Sequence, residues 1–393
     1  YHTNINIQMS YWPAELTNLS ELHMPYFDLL TSLVEPGTKT ARAHYGADGW
    51  VVHTITNAWG FTSPGELPRW GLYVTGGAWM CSHIWERYLF TNDEEFLRKM
   101  YPVIKGSVSF YLDWLTEDQE TGKLISGPTN SPENSFIASD GKVYQLCMSP
   151  AHDNQVLWEL FDDFIKISNE LGIKGQLFNE VAEAQKRIPP MQIGSDGRLM
   201  EWAEEFPEPE KGHRHISHLY ALHPGEQITP DKTPLLAEAV KKSLDYRQSH
   251  GAGQTGWSAA WFISMNARLG RGEEAKKSLD FVLANATCPN LFGIFPPFQT
   301  DGNYGTTAGI AEMLIQSHSN EIHLLPALPS TWPDGQVTGL CARGGFEVDL
   351  KWAKGKLKKV SILSKDGKKT NLRYLDNIKT LDIESGEKIE FDW

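Results

Sequence analysis

The sequence predicts a mainly α-helical fold, a closed ring of helical hairpins, followed by a small antiparallel β domain at the C-terminus. Two observations lead to this prediction. From about Trp70 to Gln316, apolar residues recur with the period of an α-helix, and after about His323 they alternate with polar residues as in strands. Long polar loops separate the helical segments, as expected when loops gather at one end of a ring and carry the function.

Apolar stripes and capping residues locate the helices. Thr91-Asn92-Asp93, for example, is typical of a helix start. The predicted helices are 78–90, 93–114, 153–171, 175–187, 233–246, 257–269, 273–284 and 305–317. The loops between them, rich in Gly, Pro, Trp, His and acidic residues, are 45–70, 122–150, 194–230, 247–256 and 288–304.

The C-terminal part has the alternation of half-buried strands. Strands are predicted at Phe346–Trp352, Lys358–Leu363 and Lys388–Asp392, with turns at Lys354-Gly355 and Asp366-Gly367. We therefore expect two domains, a helical domain over residues 1–322 and a β-sandwich-like domain over residues 323–393.

Charge and composition favour a neutral substrate. The 393 residues include 36 basic and 49 acidic side chains and carry a net charge of −13, which disfavours nucleic acid or an anionic membrane as a partner. Fourteen tryptophans and 13 tyrosines supply flat faces that can stack on sugar rings, although most such rings pack between helices.

The cysteines and the apolar runs exclude further classes. Cys81, Cys147, Cys288 and Cys341 lie far apart, so neither a zinc ribbon nor a disulfide scaffold is predicted, and we expect buried thiols. No apolar run approaches the ~18–20 residues that span a bilayer, and we predict no signal peptide within the first residues of the given sequence, which has no initiator methionine and does not decide export.

Two acidic residues are presented on polar turns. Glu133 lies in Leu124-Ile-Ser-Gly-Pro-Thr-Asn-Ser-Pro-Glu-Asn-Ser-Phe136 directly after a proline, and Asp301 lies in Phe298-Gln-Thr-Asp-Gly-Asn-Tyr-Gly305 before Gly302, which allows a tight bend. Neither resembles a member of a solvated helical face. The pair suggests acid/base chemistry on a polar substrate, whereas each residue alone is more often a turn or cap residue.

An N-terminal pair of asparagines adds a second candidate group. Asn4 and Asn6 stand two residues apart in a β-favouring stretch, so both carboxamides are expected on one face of an extended segment. A polar surface strand is the simpler interpretation. The aromatic residues of Gln8-Met-Ser-Tyr-Trp-Pro13 beside the amides favour a sugar subsite.

Three histidines form the next cluster, in Gly212-His-Arg-His-Ile-Ser-His-Leu-Tyr220. His213, His215 and His218 lack the spacing of the helical zinc motif and have no following cysteine pair, so we expect them to bind hydroxyl groups, with Arg214 in a charge-assisted role. Structural histidines are the alternative. Trp257, after Gly253-Gln-Thr-Gly256, is either a wall of the cleft or part of a capped helix start.

These motifs together resemble glycoside hydrolase family 95. The resemblance covers essentially the whole chain, and the motifs occur in the order of that family. They are Asn4-Ile-Asn-Ile-Gln-Met-Ser-Tyr-Trp-Pro-Ala-Glu15, Thr75-Gly-Gly-Ala-Trp79, Ser131-Pro-Glu-Asn134, Gly212–Tyr220 and Phe298–Gly305.

The resemblance implies an (α/α)6 barrel, truncated here at its N-terminus, and an exo-acting, inverting α-L-fucosidase that requires no cofactor. Glu133 is the implied general acid, while Asn4 and Asn6 hold the water and Asp301 makes their amides more basic. The implied substrate is a fucosylated oligosaccharide or a plant or host glycan, and the implied linkage is chiefly α-1,2. The implied sugar-contacting residues are His53, Trp59, Trp79, His213, His215, His218 and Trp257.

One departure and several alternatives stay open. His53-Thr-Ile-Thr-Asn-Ala-Trp59 keeps the first histidine and the tryptophan of the expected His-x-Asn-Thr-Asp-x-Trp pattern but replaces its polar contacts, which leaves L-fucose against L-galactose undecided. An α-L-galactosidase is the nearest alternative. A phosphorylase or lyase on a helical toroid is more distant, and a non-catalytic sugar-binding remnant is the alternative from another class. Secretion or a periplasmic location is favoured for the full-length protein, and the oligomeric state is undetermined.

Overall fold

The computed structural model describes residues 1–295 and 298–393, and the two prolines between them, part of the predicted loop 288–304, lie outside the described residues. The chain forms two compact units. The first unit comprises Tyr1–Gln8, Pro25–Trp85 and Glu94–Ala252, and the second comprises Met9–Met24, Glu86–Asp93 and Gly253–Trp393.

Helices dominate the chain up to Leu314. They are α1 Asn6–Leu16, α2 Met24–Ser32, α3 Val34–Thr40, α4 Pro68–Gly71, α5 Gly76–Thr91, α6 Glu94–Trp114, α7 Ala151–Glu170, α8 Gln176–Arg187, α9 Pro234–Ser249, α10 Gly256–Arg268, α11 Gly272–Asn285 and α12 Asp301–Leu314. Every helix predicted from periodicity is present, with ends that shift by a few residues. The prediction of a mainly helical chain is confirmed.

The N-terminal extended segment was predicted wrongly. Asn4 lies in a turn, Ile5 has a φ of +65°, and α1 begins at Asn6, so the two amides do not share a strand face. The buried side chain of Gln8 donates a hydrogen bond to the Thr3 carbonyl oxygen, which stabilises this turn. Tertiary contacts therefore override the β propensity of the alternating isoleucines.

The described residues from Ile315 onward form two four-stranded sheets of the second unit. One has the order β11-β10-β6-β5 and the other β12-β9-β8-β7. Their strands are β5 Ile315–Gln316, β6 Ile322–Leu324, β7 Gly335–Ala342, β8 Phe346–Ala353, β9 Lys356–Ser364, β10 Lys369–Tyr374, β11 Asn377–Asp382 and β12 Lys388–Asp392. Short two-stranded pairs precede them: β1 Thr116–Glu117 with β2 Leu124–Ile125, and β3 Phe136–Ile137 with β4 Val143–Tyr144.

The predicted C-terminal antiparallel region is confirmed. In β8 the buried residues alternate with less buried ones, and Val348 and Leu350 point into a core that also contains Val360 and Ile362 of β9. One pairing differs from the prediction, because β6 and β10 run parallel. These two strands are far apart in the sequence. The alternation of apolar and polar residues within a strand does not predict which distant strand it pairs with.

In the second unit, α10 is buried along its whole length and packs against α11 and α12. Glycine makes the α10–α12 approach possible. A Cβ at Gly302 would lie 2.7 Å from the backbone carbon of Gly256, closer than real contacts allow. Gly302 therefore serves close helix packing, and not the tight bend that the sequence suggested.

All four cysteines are free, Cys81 and Cys341 buried and the other two half-buried. Among the described residues, no helix is both long and apolar enough to cross a bilayer.

Candidate active site

Glu133 lies in a turn, Ser131–Asn134, within the long connection between α6 and α7. The amide N–H of Asn134 donates to the Ser131 carbonyl oxygen at 2.7 Å, and the Pro132–Glu133 peptide bond is cis. The side chain of Glu133 is 16% exposed, so a ligand can reach the carboxyl group although most of it is covered. This is the partly buried setting expected of a residue that exchanges a proton with a substrate.

Two side chains of the His213–His218 segment contact the Glu133 carboxylate. Arg214 donates through Nη2 to Oε2, and His215 Nε2 lies 3.7 Å from the same oxygen. Burial alone would raise the pKa of Glu133, but the interactions with His215 and Arg214 reverse that effect and hold the pKa below its usual value. Burial also lowers the pKa of His215, so at neutral pH its ring is uncharged and the positive charge beside Glu133 is that of Arg214.

The three predicted histidines have different neighbours. His213 and His215 stack with ring centroids 5.4 Å apart, whereas His218 Nδ1 lies 3.5 Å from Glu201 Oε2. Burial lowers the pKa of all three. In the part of the chain that the structure describes, no group of three or more His, Cys, Asp or Glu side chains is arranged to hold a metal ion.

The backbone around Glu133 is held by residues that the sequence did not single out. Ser217 Oγ donates to the Pro132 carbonyl oxygen at 2.9 Å. The buried Glu201 accepts from Ser131 Oγ at 2.7 Å and from Asn134 Nδ2 at 3.1 Å. Ser217 lies inside the histidine motif, but the one sequence signal for Glu201 was the length of loop 194–230.

A second buried network lies in the same unit, at the starts of α5 and α7. Thr75 Oγ1 donates to Asp153 Oδ1 at 2.9 Å, and the neighbouring His152 contacts the Tyr73 hydroxyl through Nε2 at 2.8 Å. Burial raises the pKa of Asp153 to about 7, although Thr75 and Ser126 act in the opposite direction. From the sequence, Asp153 was predicted only as the start of a helix and Thr75 only as part of the Thr75–Trp79 motif.

The Asn4 turn packs beside the segment that follows Trp50. Thr3 N–H donates to the Thr54 carbonyl oxygen at 2.8 Å, and Thr3 Oγ1 donates to the His53 carbonyl oxygen at 2.8 Å. Asn4 is buried, and its Oδ1 makes no hydrogen bond to any of the described residues. Asn6 is half-buried at the start of α1, and its N–H donates to the Asn4 carbonyl oxygen at 2.8 Å. Asn4 Oδ1 is thus a buried acceptor whose hydrogen-bonding capacity is not used by the described residues.

Of three further predicted sugar contacts, one faces solvent and two are buried. Trp59 is 90% exposed. Both ring nitrogens of His53 are engaged, Nδ1 by the Thr62 carbonyl oxygen at 2.7 Å and Nε2 by the Tyr45 hydroxyl at 2.6 Å, and burial lowers its pKa to about 4. Trp79 is fully buried, with its ring 5.2 Å from that of Tyr220.

Asp301 and Trp257 belong to the second unit. Asp301 is not on a free turn as predicted: it is the first residue of α12, 4% exposed, and its Oδ1 accepts from the Gly302 N–H at 2.7 Å. Trp257 is 3% exposed in the first turn of α10, and the two side chains line one small cavity.

Comparison with known proteins decides the family. The Glycosyl hydrolase family 95 catalytic domain matches residues 1–314, and the Glycoside hydrolase family 95 C-terminal domain matches residues 316–392. The chain belongs to glycoside hydrolase family 95.

Two relatives of this chain carry fucosidase names. Alpha-L-fucosidase 2 of Arabidopsis thaliana is 40% identical over 407 residues, aligned with all of this chain and 48% of its own length. Probable alpha-fucosidase A of Aspergillus niger is 31% identical over 379 residues, aligned with 90% of this chain and 47% of its own length. The family 95 chain therefore spans about half the length of the curated relatives it matches.

A solved structure shares the fold. A putative kojibiose phosphorylase from human microbiome superposes with a TM-score of 0.64 over 97% of this chain and 60% of its own, at 12% sequence identity. At that identity the likeness concerns the fold of this family 95 chain and not its chemistry.

Proposed function

We propose that the chain provides the catalytic residues of an exo-acting, inverting α-L-fucosidase that removes terminal, α-1,2-linked L-fucose from oligosaccharides or glycans. Membership of family 95 and the fucosidase names of its relatives support the substrate class. The observation that carries the proposal is Glu133, a partly exposed carboxyl group on a turn held from several sides, with Arg214 and His215 beside it.

In the proposed reaction, Glu133 is the general acid. Its proton moves to the glycosidic oxygen as the bond from that oxygen to C1 breaks, and the oxygen of a water molecule bonds to C1 from the opposite face. The water loses a proton to solvent, and Glu133 is protonated again. Inverting enzymes typically leave ~6.5–9.5 Å between the acid and the group that activates the water, because the water must fit between them.

The asparagines are proposed to hold that water. Asn4 Oδ1, buried and without a hydrogen bond to the described residues, supports the assignment, since an amide oxygen can accept from a water molecule. A neutral amide is a weak base unless a nearby anion polarises it. Asp301 is proposed as that anion.

The proposed acid must carry a proton, yet Arg214 favours its ionised form. The Arg214 side chain is 33% exposed, so it can turn toward solvent or toward a bound hydroxyl group. We propose that substrate takes Arg214 away from Glu133. Loss of the guanidinium removes one of the interactions that lower the pKa of Glu133, while the contact with His215 remains, so the pKa rises and the protonated acid is favoured more than before.

At the level of architecture, we propose that the helices form the (α/α)6 barrel that the resemblance implies, and that residues 1–322 and 323–393 are the catalytic and β domains. Consecutive helices that pack in pairs, α7 with α8 and α10 with α11, support the barrel.

Glu133→Gln tests the function. We expect it to lower kcat on a fucosylated oligosaccharide by about 10²–10⁴-fold and to have a smaller effect on an aryl fucoside, whose leaving group needs little protonation. Glu204→Gln, at an exposed position of loop 194–230, is the control and should match the wild type. Equal losses on both substrates would show that Glu133 is not the acid.

The same assay identifies sugar and stereochemistry. Proton NMR of the first product should show the β anomer, as inversion requires. Release of the α anomer would overturn the inverting mechanism. Faster hydrolysis of a matched α-L-galactoside would replace fucose by galactose as the substrate.

A further inference from the structure

Glu201 contacts both sides of the turn that presents Glu133. Its Oε1 accepts from Ser131 Oγ at 2.7 Å, and its Oε2 accepts from Asn134 Nδ2 at 3.1 Å. One contact precedes Glu133 by two residues, and the other follows it by one. A single buried carboxylate thus fixes the two ends of the turn relative to each other.

Glu201 is itself held firmly. Arg247 Nη2 donates to Glu201 Oε2 at 2.6 Å, and both side chains are at most 4% exposed. Arg247 Nη1 also donates to the Lys211 carbonyl oxygen at 3.0 Å, and the Glu201 carbonyl oxygen accepts from the Ala151 N–H, at the start of α7, at 3.0 Å. The side chain and the backbone of Glu201 are both held by hydrogen bonds. The turn that is bonded to Glu201 therefore has little room to move.

A buried ion pair is weak evidence for stability, because removing two charges from water costs about as much as their attraction returns. What charge-assisted hydrogen bonds supply is defined geometry. Geometry is what a general acid needs, since a displacement of about 1 Å can cost about 10²-fold in rate.

We propose that Glu201 is a positioning residue for the general acid: it holds the Ser131–Asn134 turn so that the Glu133 carboxyl group meets the glycosidic oxygen. The inference rests on the proposed role of Glu133. Glu201 does not touch substrate in this assignment, and acts only through the turn.

Glu201→Gln and Glu208→Gln form a matched pair. The Glu208 side chain is 7% exposed, contacts Arg247 Nη1, and makes no hydrogen bond to Ser131–Asn134 among the described contacts. We expect Glu201→Gln to lower kcat on a fucosylated oligosaccharide about 10- to 100-fold more than on an aryl fucoside, with KM little changed. Glu208→Gln should affect the two substrates equally. The inference is overturned if Glu201→Gln also loses rate equally on both, or if Glu208→Gln shows the same dependence on the leaving group.

The turn itself provides a second test, which decides the matter if Glu201→Gln does not fold. Ser131→Ala with Asn134→Ala removes both contacts and leaves the Glu201–Arg247 pair intact. This double variant should show the same dependence on the leaving group, and a uniform loss would contradict the inference.

Glu133→Gln in the same assay separates the two proposals. If it loses rate equally on both substrates, the proposed acid is wrong. If Glu133→Gln depends on the leaving group and Glu201→Gln does not, only the positioning role fails. Adding Glu201→Gln to Glu133→Gln should lower the rate little further, because the turn would then position no acid.

Discussion

His215 and Arg214 both lower the pKa of Glu133, and the Arg214 guanidinium contacts the carboxylate that is proposed to donate a proton. A cation beside a carboxyl group lowers its pKa by stabilising the ionised form. Removal of that cation should therefore keep Glu133 protonated to higher pH.

We predict that Arg214→Gln moves the alkaline limb of the kcat/KM profile upward by about 1–3 pH units. The position of the limb is the measurement, so a lower overall rate from lost substrate contacts does not interfere. Lys211→Gln, which removes an exposed charge from the same loop, is the control. An unchanged limb in Arg214→Gln would show that this charge does not control the acid.

Asp153 is a second residue whose protonation has a measurable consequence. Its pKa in the folded chain, about 7, lies above the unfolded value of 3.8, so the folded state holds the proton more tightly. The stabilising contribution is therefore present below about pH 4 and is lost as pH rises through 7.

We predict that Asp153→Asn, which cannot ionise, gains stability relative to the wild type by roughly 3 kcal/mol between pH 5 and pH 8. Denaturant unfolding at the two pH values measures this. Thr75→Val, which removes the hydroxyl donor but keeps the carboxyl group, should retain the wild-type direction of the pH dependence. A constant difference between Asp153→Asn and wild type would mean that Asp153 does not titrate in this range.

At the scale of elements, the close contact between α10 and α12 requires a glycine at position 302 more than at position 256. A Cβ at Gly302 would lie 2.7 Å from a backbone atom, whereas a Cβ at Gly256 would have its nearest neighbour at 3.8 Å. Backbone atoms cannot rotate away as the end of a side chain can.

Gly302→Ala should therefore lower the free energy of unfolding by about 1–3 kcal/mol through overpacking. Gly256→Ala should be neutral or slightly stabilising, since it adds a helix former where there is space. Thermal unfolding of the two variants distinguishes them. Equal midpoints would show that the helices can separate at no cost.

The loop that presents Trp59 is a second element with a test of its own. Asn57 Oδ1 accepts from the Trp59 N–H at 2.9 Å and from the Phe61 N–H at 3.3 Å, so the loop is ordered although the indole is exposed. We predict that Trp59→Ala raises KM about 3- to 10-fold at constant kcat and leaves the unfolding midpoint unchanged. Leu235→Ala, also at an exposed position, is the control. An unchanged KM would show that Trp59 does not contribute to substrate binding.

The sequence predicted the positions of helices and strands better than the contacts between distant side chains. Periodicity located α7 and α10 closely because it reports which face is buried. It failed at Asn4–Gln8, where a positive φ and a side-chain contact to Thr3 start a helix inside a β-favouring stretch. Glu201 and Arg247 were missed because their pairing joins positions 46 residues apart, which local patterns do not contain.

At the scale of the whole chain, the described residues show neither a metal cluster nor a disulfide. Burial raises the pKa of the Cys81 thiol to about 12, which leaves it protonated and unreactive at neutral pH. We predict that EDTA and dithiothreitol change neither activity nor the unfolding midpoint. A loss of activity with EDTA that is restored by one divalent metal would contradict this.

The side chains that hydrogen-bond to the Glu133 turn, or to Glu133 itself, all belong to the loop 194–230. Glu201 lies before the exposed Lys211, and Arg214 and Ser217 lie after it. A single cut by trypsin at Lys211 would leave every helix continuous, yet it would free the ends of the stretch that carries Arg214. Such a nicked protein would keep its circular dichroism spectrum and lose turnover, so activity would disappear before the fold does.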